Sequence, residues 1–245
     1  MVPESPFLSI IIPAYNEEGR LIQTLEEVAA FLARQSYTSE VLVVENGSRD
    51  RTFALAQEFA AAHPGFRAIH RAQPGKGGAV QAGMLAAHGQ YRFMADADRS
   101  MAIDELPRFL PPNHDAPIVI GSREASGARR FNEPQFRHLG GRAINLMIRV
   151  LALPGLQDTQ CGYKLFRADA AEALFPHQTL MGWSFDVEIL FLARRRGLAI
   201  AEQPIPWVFA AESHVRPVPD ALKLGRDLLT LRLNALRGRY GPRQV

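Results

Sequence analysis

The fold is decided by the stretch Tyr91-Arg92-Phe93-Met94-Ala95-Asp96-Ala97-Asp98, an apolar run that leads directly into two carboxylates. The apolar half predicts a buried strand in the middle of a sheet. Ligands of open α/β sheets bind beyond the carboxyl ends of the strands, so Asp96 and Asp98 would face a bound substrate. Two hard oxygen ligands suit Mg²⁺ or Mn²⁺ and leave coordination sites for water and a diphosphate. An isolated Asp-x-Asp is also typical of a solvated turn, so it predicts chemistry only together with the rest of the chain.

Strand and helix signals along the chain predict a single α/β domain. The predicted strands cover residues 8–12, 41–44, 66–69, 91–95 and 117–120, with further candidates at 198–201 and 205–209. Helical patterns lie between them, which argues for a doubly wound sheet flanked by helices. Right-handed crossovers would bring the loops that follow the strands to one edge of that sheet. We expect this edge to collect the polar residues Tyr15, Glu45, Asn46, Lys76, Asp96 and Asp98.

The composition fits one large globular domain. The 245 residues are 47% hydrophobic and 22% charged, which is enough to bury a sizeable core. The only cysteine, Cys161, cannot form an intramolecular disulfide, which indicates a reducing compartment. Arg149 and Pro154 interrupt the most apolar helix, and no segment approaches the roughly 18 to 20 apolar residues that span a bilayer. We therefore expect a protein that is soluble or lies on a membrane surface.

The positive charge is small in total but unevenly distributed. A formal net charge of +3 does not by itself argue for nucleic acid, and no nucleic-acid module motif is present. Arginines crowd the region between Arg123 and Arg142 and the C-terminal tail. This distribution indicates phosphate or anionic lipid as the partner, and we expect no nucleic-acid partner.

Two loops offer groups for a nucleotide. Residues 74–78, Pro-Gly-Lys-Gly-Gly, open a helix, so backbone N–H groups and the Lys76 ammonium could face an anion. The loop is neither a Walker motif nor a Rossmann fingerprint, and taken alone it is equally typical of a tight turn. Glu45 and Asn46 follow a predicted strand and offer acceptors for a base or ribose, although they also fit an ordinary turn with Gly47 at positive φ.

Three further groups of residues could carry chemistry. Asp186 lies in an apolar stretch, where a carboxylate needs either a partner or a task, although it also fits a charge at the start of a helix. Residues 158–164 mix polar side chains with a glycine, as a loop that lines a site would. The seven histidines are scattered and do not support a catalytic triad. Guanidinium groups match phosphate oxygens, so an arginine cluster whose acidic neighbours are chiefly Glu124 and Glu133 could bind a phosphorylated substrate, although it also fits a solvated charged loop. Its members are Arg123, Arg129, Arg130, Arg137 and Arg142.

Eight motifs follow one another along the chain: IIPAYNEE, VVENGS, GKGGAV, FMADADRS, GSRE, DTQCGYKLF, WSFDVEIL and PIPWVF. This ordered set resembles family 2 glycosyltransferases with the Rossmann-like GT-A fold. Within that family it resembles the polyprenyl-phosphate enzymes, and among these the dolichyl-phosphate β-glucosyltransferase branch more than the dolichol-phosphate mannose synthases. The resemblance covers about residues 8–236, and its first and fourth motifs occur across the superfamily.

The resemblance implies a role for each matching position on the donor side. Lys76 would lie near the diphosphate, Asp96 would meet nucleotide and metal, and Asp98 would be the main ligand of Mg²⁺ or Mn²⁺. The nucleotide-sugar residues would be Pro13, Tyr15, Glu17, Glu45, Asn46, Lys76 and Asp96.

On the acceptor side, the resemblance implies that arginines grip a lipid phosphate. Arg123 and Arg137 match the arginines with this role, Arg142 lies close by, and His214 is expected in the same acceptor-phosphate set. Asp96, Asp98, Arg123, Arg137 and Asp186 are the implied catalytic set. A lipid phosphate is already an anion at neutral pH, so it can attack the anomeric carbon without a general base.

Four positions, at three places in the chain, depart from the family pattern. Glu45 and Asn46 stand where Asp-Asp is usual, so the base contact would lose a charge, although an amide oxygen can still accept from an imide N–H. Arg99 replaces a common leucine, and His214 stands where lysine is frequent.

The implied function is a metal-dependent, inverting transfer of a hexose, most simply glucose from UDP-glucose, onto a polyprenyl or dolichyl phosphate. One domain, residues 1–245, would comprise a nucleotide-sugar half (8–120), an acceptor half (121–215) and a basic amphipathic helix (216–245). The protein would lie peripherally on the cytosolic face of a membrane, with the helices at 139–153 and 219–236 at the bilayer surface. Core packing of these two helices is the other interpretation.

Several other functions stay open from the sequence alone. The donor could be GDP-mannose, UDP-N-acetylhexosamine or UDP-galactose, because glucose follows from the branch resemblance only. A hydroxyl acceptor would need a base, for which Asp186 is the candidate. A sugar-phosphate nucleotidyltransferase would need a glycine-rich basic loop where residues 13–18 are acidic. A non-catalytic nucleotide-sugar or lipid-binding protein is the alternative from a different class.

Overall fold

In the part of the chain that the structure describes, residues 5–209 and 217–241, a seven-stranded mixed sheet forms the middle of the molecule. The structure is a computed structural model. Across the sheet the strand order is β3-β2-β1-β4-β7-β5-β8, and β6 pairs with β9 in a separate two-stranded sheet. The strands are β1 (Leu8–Ala14), β2 (Ser39–Glu45), β3 (Phe66–His70), β4 (Tyr91–Met94), β5 (Ile118–Ser122), β6 (Arg129–Phe131), β7 (Lys164–Arg167), β8 (Ile200–Pro204) and β9 (Pro206–Val208).

Helices cover both faces of the sheet and create two hydrophobic layers. They are α1 (Leu21–Leu32), α2 (Thr52–Ala62), α3 (Lys76–Ala86), α4 (Gln135–Leu151), α5 (Ala168–Leu174), α6 (Phe185–Arg195) and α7 (Pro217–Leu236). One layer packs α3, α5, α6 and the buried leucines of α7 against the sheet. The other packs α1, α2 and the 3-10 turn Ile103–Phe109 against the opposite face. Every residue of β1 is buried, as expected for a parallel strand covered on both sides.

The predicted doubly wound α/β fold is confirmed, and the parallel part of the sheet positions the site. β1 pairs in parallel with β2 and β4, so all three strands end at the same edge. The backbone N–H of Ala95 donates to Ile11 O at 2.9 Å, which extends this pairing to the residue before Asp96. The loops that follow β1, β2 and β4 therefore meet beside one another.

Two strands were not predicted, β6 and β7, and β7 runs antiparallel to both of its neighbours. β7 pairs antiparallel with both β4 and β5, and Lys164 lies opposite Met94. The strand is only four residues long and has a basic residue at each end, so it lacks the apolar run by which a buried strand is recognised. Its insertion beside β4 places the loop that precedes it, residues 156–163, next to the Asp-x-Asp.

Asn16 is a residue type that favours helix caps, but it does not cap α1. α1 begins at Leu21, and Asn16 adopts φ 53°, with its side-chain Oδ1 accepting a hydrogen bond from Arg49 N at 2.9 Å. Asn16 therefore joins the loops after β1 and β2. The buried face of α1 includes Leu21, Leu25 and Val28.

The two amphipathic helices near the C-terminal half pack against each other. Arg232 of α7 donates from Nε to Leu151 O at the end of α4 at 2.7 Å. No helix among residues 5–209 and 217–241 has both the length and the apolar content needed to cross a bilayer.

Candidate active site

The Asp-x-Asp lies immediately beyond β4 and already contacts the glycine-rich loop. Lys76 Nζ lies 2.6 Å from Asp96 Oδ1, and both side chains are largely buried. Asp98 turns the chain, because its Oδ1 accepts a hydrogen bond from Ser100 N at 2.9 Å. The structure therefore brings together three predicted site residues from two separate segments, β4 and the start of α3.

A glycine from the loop before β7 leaves room for the Asp96 carboxylate. A Cβ atom placed on Gly162 would lie only 2.0 Å from Asp96 Oδ2. Only a residue without a side chain allows this approach. Asp96 is thus held on one side by the Lys76 ammonium and on the other by the Gly162 backbone, which explains the glycine in the motif DTQCGYKLF.

The acidic pair fits a divalent metal that is shared with a substrate. Among the residues that the structure describes, no group of three or more His, Cys, Asp or Glu side chains is arranged to hold a metal ion. Mg²⁺ is commonly held by only one or two carboxylates together with substrate phosphates. Asp96 and Asp98 supply two such carboxylates, and the Lys76 ammonium beside Asp96 adds a positive charge at the same place.

The loop at residues 74–78, called the diphosphate loop after its expected role, packs closely against neighbouring backbone. Gly75 adopts φ 139°, and a Cβ atom there would lie 2.4 Å from Met181 O. Lys76 begins α3, and its ammonium lies 5.0 Å from the centre of the Trp183 ring. Burial by itself would lower the pKa of Lys76, but the nearby Asp96 and Asp186 carboxylates raise it above its ordinary value. Lys76 is therefore a fixed cation at the N-terminus of α3.

Asn46 connects this loop to the first strand. The Asn46 side chain is buried, and its amide nitrogen donates to Ala14 O at 2.6 Å while its oxygen accepts from Gly75 N at 3.0 Å. Its neighbour Glu45 is also buried and lies 2.6 Å from His70 Nδ1. If a base N–H binds the Asn46 oxygen, as expected, it must therefore share that oxygen with the backbone N–H of Gly75. Gly47 has the positive φ, 78°, expected of this turn.

The remaining donor-side residues surround the end of β1. Pro13 lies within β1, opposite Val44 of β2. Tyr15 follows the strand and is 38% exposed, so its ring can meet a ligand. Glu17 is paired with Arg20, and its backbone N–H donates to Thr52 Oγ1 at 2.8 Å.

Arg130 is paired with the two acidic neighbours that the sequence offers, Glu124 and Glu133, whereas Arg123 is paired with a carboxylate that was not expected. Arg123 forms a two-pronged ion pair with Asp158, with Nε 2.6 Å from Oδ2 and Nη2 2.9 Å from Oδ1. Arg130 lies 2.6 Å from both Glu124 and Glu133. The ion pair between Asp158 and Arg123 could not be recognised from sequence, because 35 residues separate its two members.

The pKa values of Arg123 and Asp158 are both shifted by their pairing, against the effect of burial. Burial alone would raise the pKa of Asp158, but the adjacent guanidinium lowers it to about 2. Burial would lower the pKa of Arg123, and Asp158 raises it above its ordinary value instead. The guanidinium also lies 5.4 Å from the centre of the Trp207 ring. Arg123 is therefore charged and fixed in orientation.

A cavity lies on the α4 side of this arginine cluster. Its volume is about 390 Å³. Its polar lining consists of Arg142, Asn145 and Arg149, which lie three and seven residues apart on one face of α4, together with Glu124 and Gln157. Arg149 was not among the predicted site residues. Arg137 belongs to α4, but its side chain is not among those described, and His214 lies outside the described residues.

Asp186 is paired with Lys164 in the interior of the protein. Its Oδ1 lies 2.8 Å from Lys164 Nζ, and both side chains are almost fully buried. Burial raises the pKa of Asp186 against the opposing influence of Lys164 and Lys76. Lys164 also donates to Cys161 O. Burial raises the pKa of the Cys161 thiol to about 12, so this cysteine is a packing residue and not a nucleophile.

Known proteins with this architecture define the class of the chain. The model of Glycosyl transferase family 2 matches residues 9–175. The structure superposes on glucosyl-3-phosphoglycerate synthase from Mycobacterium tuberculosis with a TM-score of 0.64 at 21% identity, covering 98% of this chain and 82% of the other. The fold is therefore the GT-A fold, and the chain belongs to glycosyltransferase family 2.

Relatives within the family indicate a particular branch. A dolichyl-phosphate beta-glucosyltransferase of Trichomonas vaginalis is 34% identical over 94% of this chain and 72% of its own length. The human enzyme of the same name is 33% identical over 97% of this chain and 78% of its own length. That of Saccharomyces cerevisiae is 33% identical, with 97% and 77% covered. The resemblance to this branch is thus confirmed, and the protein is a glycosyltransferase similar to these enzymes.

Proposed function

We propose that this chain transfers glucose from UDP-glucose to dolichyl phosphate or another polyprenyl phosphate, with Mg²⁺ or Mn²⁺ as cofactor. The observation that carries this proposal is the similarity, over more than nine-tenths of the chain, to relatives named dolichyl-phosphate beta-glucosyltransferase. The contact between Lys76 and Asp96 supports it, because it brings a phosphate-binding cation to the acidic pair. The branch name also supports inversion of an α-linked donor to a β-linked product.

The donor side would bind a nucleotide diphosphate. Asp96 and Asp98 would hold the metal, which when bound offsets the charge of the diphosphate as it leaves. Lys76 and the backbone N–H groups at the start of α3 would face the same phosphates. A preorganised set of charges of this kind is usually the largest contribution to catalysis.

The acceptor side would bind a phosphate without a general base. Two anionic substrates must approach within bonding distance, so the main difficulty is repulsion between them. Arg123 is held ready by Asp158, and Arg142 and Arg149 line the adjacent cavity. Arg137 and His214 remain predicted contributors to the same site. The burial of Asp186 and its pairing with Lys164 favour this reading over a hydroxyl acceptor, since a base must reach the proton that it removes.

A polyprenyl acceptor would require the protein to lie on a bilayer. α4 and α7 expose large apolar side chains, of which Val150 is 71% and Leu236 is 84% exposed. Arg149 and Arg226 lie on the same two helices and could meet anionic headgroups. We propose that these helices rest on the cytosolic face of a membrane. Flotation with anionic liposomes at low salt tests this, and a protein that stays at the bottom of the gradient would contradict it.

The deciding experiment measures release of UDP from UDP-glucose by purified protein. We expect release only when polyprenyl phosphate and Mg²⁺ or Mn²⁺ are both present. A panel of GDP-mannose, UDP-N-acetylhexosamine and UDP-galactose tests the donor, and faster turnover with any of these would overturn the choice of glucose. Transfer to a sugar hydroxyl in place of the lipid phosphate would favour the reading with Asp186 as a base. Binding of donor and lipid without transfer to either acceptor would instead indicate a non-catalytic binding protein.

A further inference from the structure

The segment at residues 178–184, which lies between α5 and α6, separates the diphosphate loop from the C-terminal helix. On one side it contacts the loop that would bind the donor diphosphate. On the other side it contacts α7 and the residues that follow it. None of the side chains on that far side belongs to the site described above.

The inner face of this segment holds the backbone of the diphosphate loop. Gly78 N donates to Met181 O at 3.1 Å, and the Gln178 side-chain amide donates to Gly77 O at 2.8 Å. A Cβ atom on Gly77 would lie 2.8 Å from both Gly182 O and Leu180 O. Glycines have no side chain with which to anchor a loop, so these backbone contacts determine where the loop lies.

The outer face of the segment is held by one buried carboxylate. Glu188 is fully buried, and it accepts hydrogen bonds from Thr179 N at 2.9 Å and Leu180 N at 2.7 Å. It also accepts from Thr179 Oγ1 at 2.5 Å and from the Tyr240 hydroxyl at 2.6 Å. Burial, together with the bond to Glu188, raises the pKa of Tyr240 to about 12, so the hydroxyl stays protonated and can donate.

A second connection runs from the segment to α7. Ser184 Oγ donates to Asp227 Oδ2 at 2.6 Å, and Asn234 Nδ2 donates to Thr179 Oγ1 at 3.2 Å. α7 itself is anchored by Leu224, Leu228 and Leu231, which are buried in the core beneath the sheet. The segment is thus held between the diphosphate loop and a well-packed helix.

We propose that Glu188, Tyr240 and Asp227 are positioning residues for the donor diphosphate. They hold the 178–184 segment, and the segment holds the backbone of Gly77 and Gly78. This fixes the N-terminal turn of α3 and the Lys76 ammonium before the donor arrives. A site that is ordered in advance spends less binding free energy on ordering itself, so donor affinity depends on these distant contacts. The identity of the ligand rests on the proposed function.

The test uses the full-length protein and UDP with Mn²⁺, measured by isothermal titration calorimetry. Tyr240→Phe removes one hydroxyl and Asp227→Asn removes one charge, and neither residue touches the proposed substrates. Tyr240→Phe loses the hydrogen bond to Glu188, and Asp227→Asn turns the bond from Ser184 into a weaker one to a neutral acceptor, so we expect the Kd for UDP to rise about threefold to tenfold. The KM for UDP-glucose should rise in parallel while the KM for polyprenyl phosphate stays unchanged. The matched control is Tyr37→Phe, which removes a buried hydroxyl that has no hydrogen-bond partner among the described residues and should leave both constants unchanged.

The possible outcomes separate the inference from the proposed function. If Tyr240→Phe and Asp227→Asn bind UDP as tightly as wild type while their Tm values fall, the contacts stabilise the fold only and the inference is wrong. If both KM values rise equally, the effect is general and the inference is also wrong. If wild type binds no UDP, the proposed function fails and the inference fails with it. Glu188→Gln keeps the size of the side chain and should weaken UDP binding at least as much as Tyr240→Phe.

Discussion

Arg123 donates to the Asp158 carboxylate from Nε and Nη2 of its guanidinium. Its backbone N–H donates to the same carboxylate, at 3.0 Å from Oδ2. Asp158 is fully buried, and its backbone N–H donates to Glu202 Oε1 at 3.0 Å. The loop before β7, the end of β5 and β8 are therefore joined at one point. An arginine held in this way can meet a phosphate with its remaining donors and without first being ordered.

Replacing Asp158 with alanine should destabilise the protein and impair the acceptor side. The substitution leaves a largely buried guanidinium without its partner, which costs about 3 kcal/mol or more in the free energy of unfolding. The measurement is urea denaturation followed by circular dichroism. Asp169→Ala is the matched control, because it breaks the exposed pair with Arg167 and should cost less than about 1 kcal/mol.

The same pair gives the protein a pH dependence with a definite sign. The pKa of Asp158 falls from 3.8 to about 2 on folding, so its contribution to stability is fully present above pH 3.8. That contribution is lost as the pH falls toward 2. The urea midpoint of wild type should therefore fall more steeply than that of Asp158→Asn over this range. Parallel pH curves for the two proteins would contradict the assignment.

Arg123→Ala should act mainly on the lipid substrate. The KM for polyprenyl phosphate should rise by about tenfold or more, because a charged hydrogen-bonding partner of the phosphate is removed. The Kd for UDP with Mn²⁺ should stay within a factor of two of wild type. Calorimetry and initial rates measured at saturating UDP-glucose provide the two numbers. A weakened UDP affinity with an unchanged lipid KM would place Arg123 on the donor side instead.

Asp98→Ala should abolish turnover by removing the principal ligand proposed for the metal. We expect the variant to bind UDP in the presence of Mn²⁺ as weakly as wild type does in EDTA. The comparison separates loss of metal binding from misfolding, because metal-independent contacts with UDP should be equal in the two cases. If the wild-type protein turned over as fast in EDTA as with Mn²⁺, a role for Asp98 as ligand of a required metal would be ruled out.

Gly162→Ala tests the packing against Asp96. A Cβ atom at this position would overlap Asp96 Oδ2, so the carboxylate has to move and UDP binding with Mn²⁺ should weaken by about tenfold or more. Gly225→Ala is the control, since a Cβ atom there meets no atom of the described part of the chain within 4 Å. That substitution lies in α7 and should raise stability by about 0.5 to 1 kcal/mol without changing UDP binding. Equal UDP affinity in both variants would mean that Asp96 tolerates displacement.

Asp186→Asn distinguishes a phosphate acceptor from a hydroxyl acceptor. Asp186 is buried against Lys164, so we expect it to position the site and not to exchange protons with the acceptor. The variant should turn over more slowly, but its pH–rate profile should keep the shape of the wild-type profile. Disappearance of an acidic limb in the variant would show that Asp186 acts as a base.

Local sequence patterns were sufficient for the parallel part of the fold. Buried runs such as 8–12 and 41–44 alternate with helical segments, and the right-handed crossover rule then places the strand ends at one edge. The proximity of Lys76 to Asp96 followed from that rule, although their contact distance did not. β7 could not be recognised, because four residues with two basic ends carry no local signal of a buried strand.

The sequence by itself determined the alternation of strands and helices, the family and the residue types that meet at the sheet edge, because these depend on local periodicity and on ordered motifs. The tertiary structure decided which charges are paired. Asp158 with Arg123, Lys164 with Asp186 and the Asn46 amide with Gly75 are contacts between segments far apart in the chain. Such pairs form only when packing excludes water and each buried charge or amide must find its partner nearby, and no local pattern encodes that geometry.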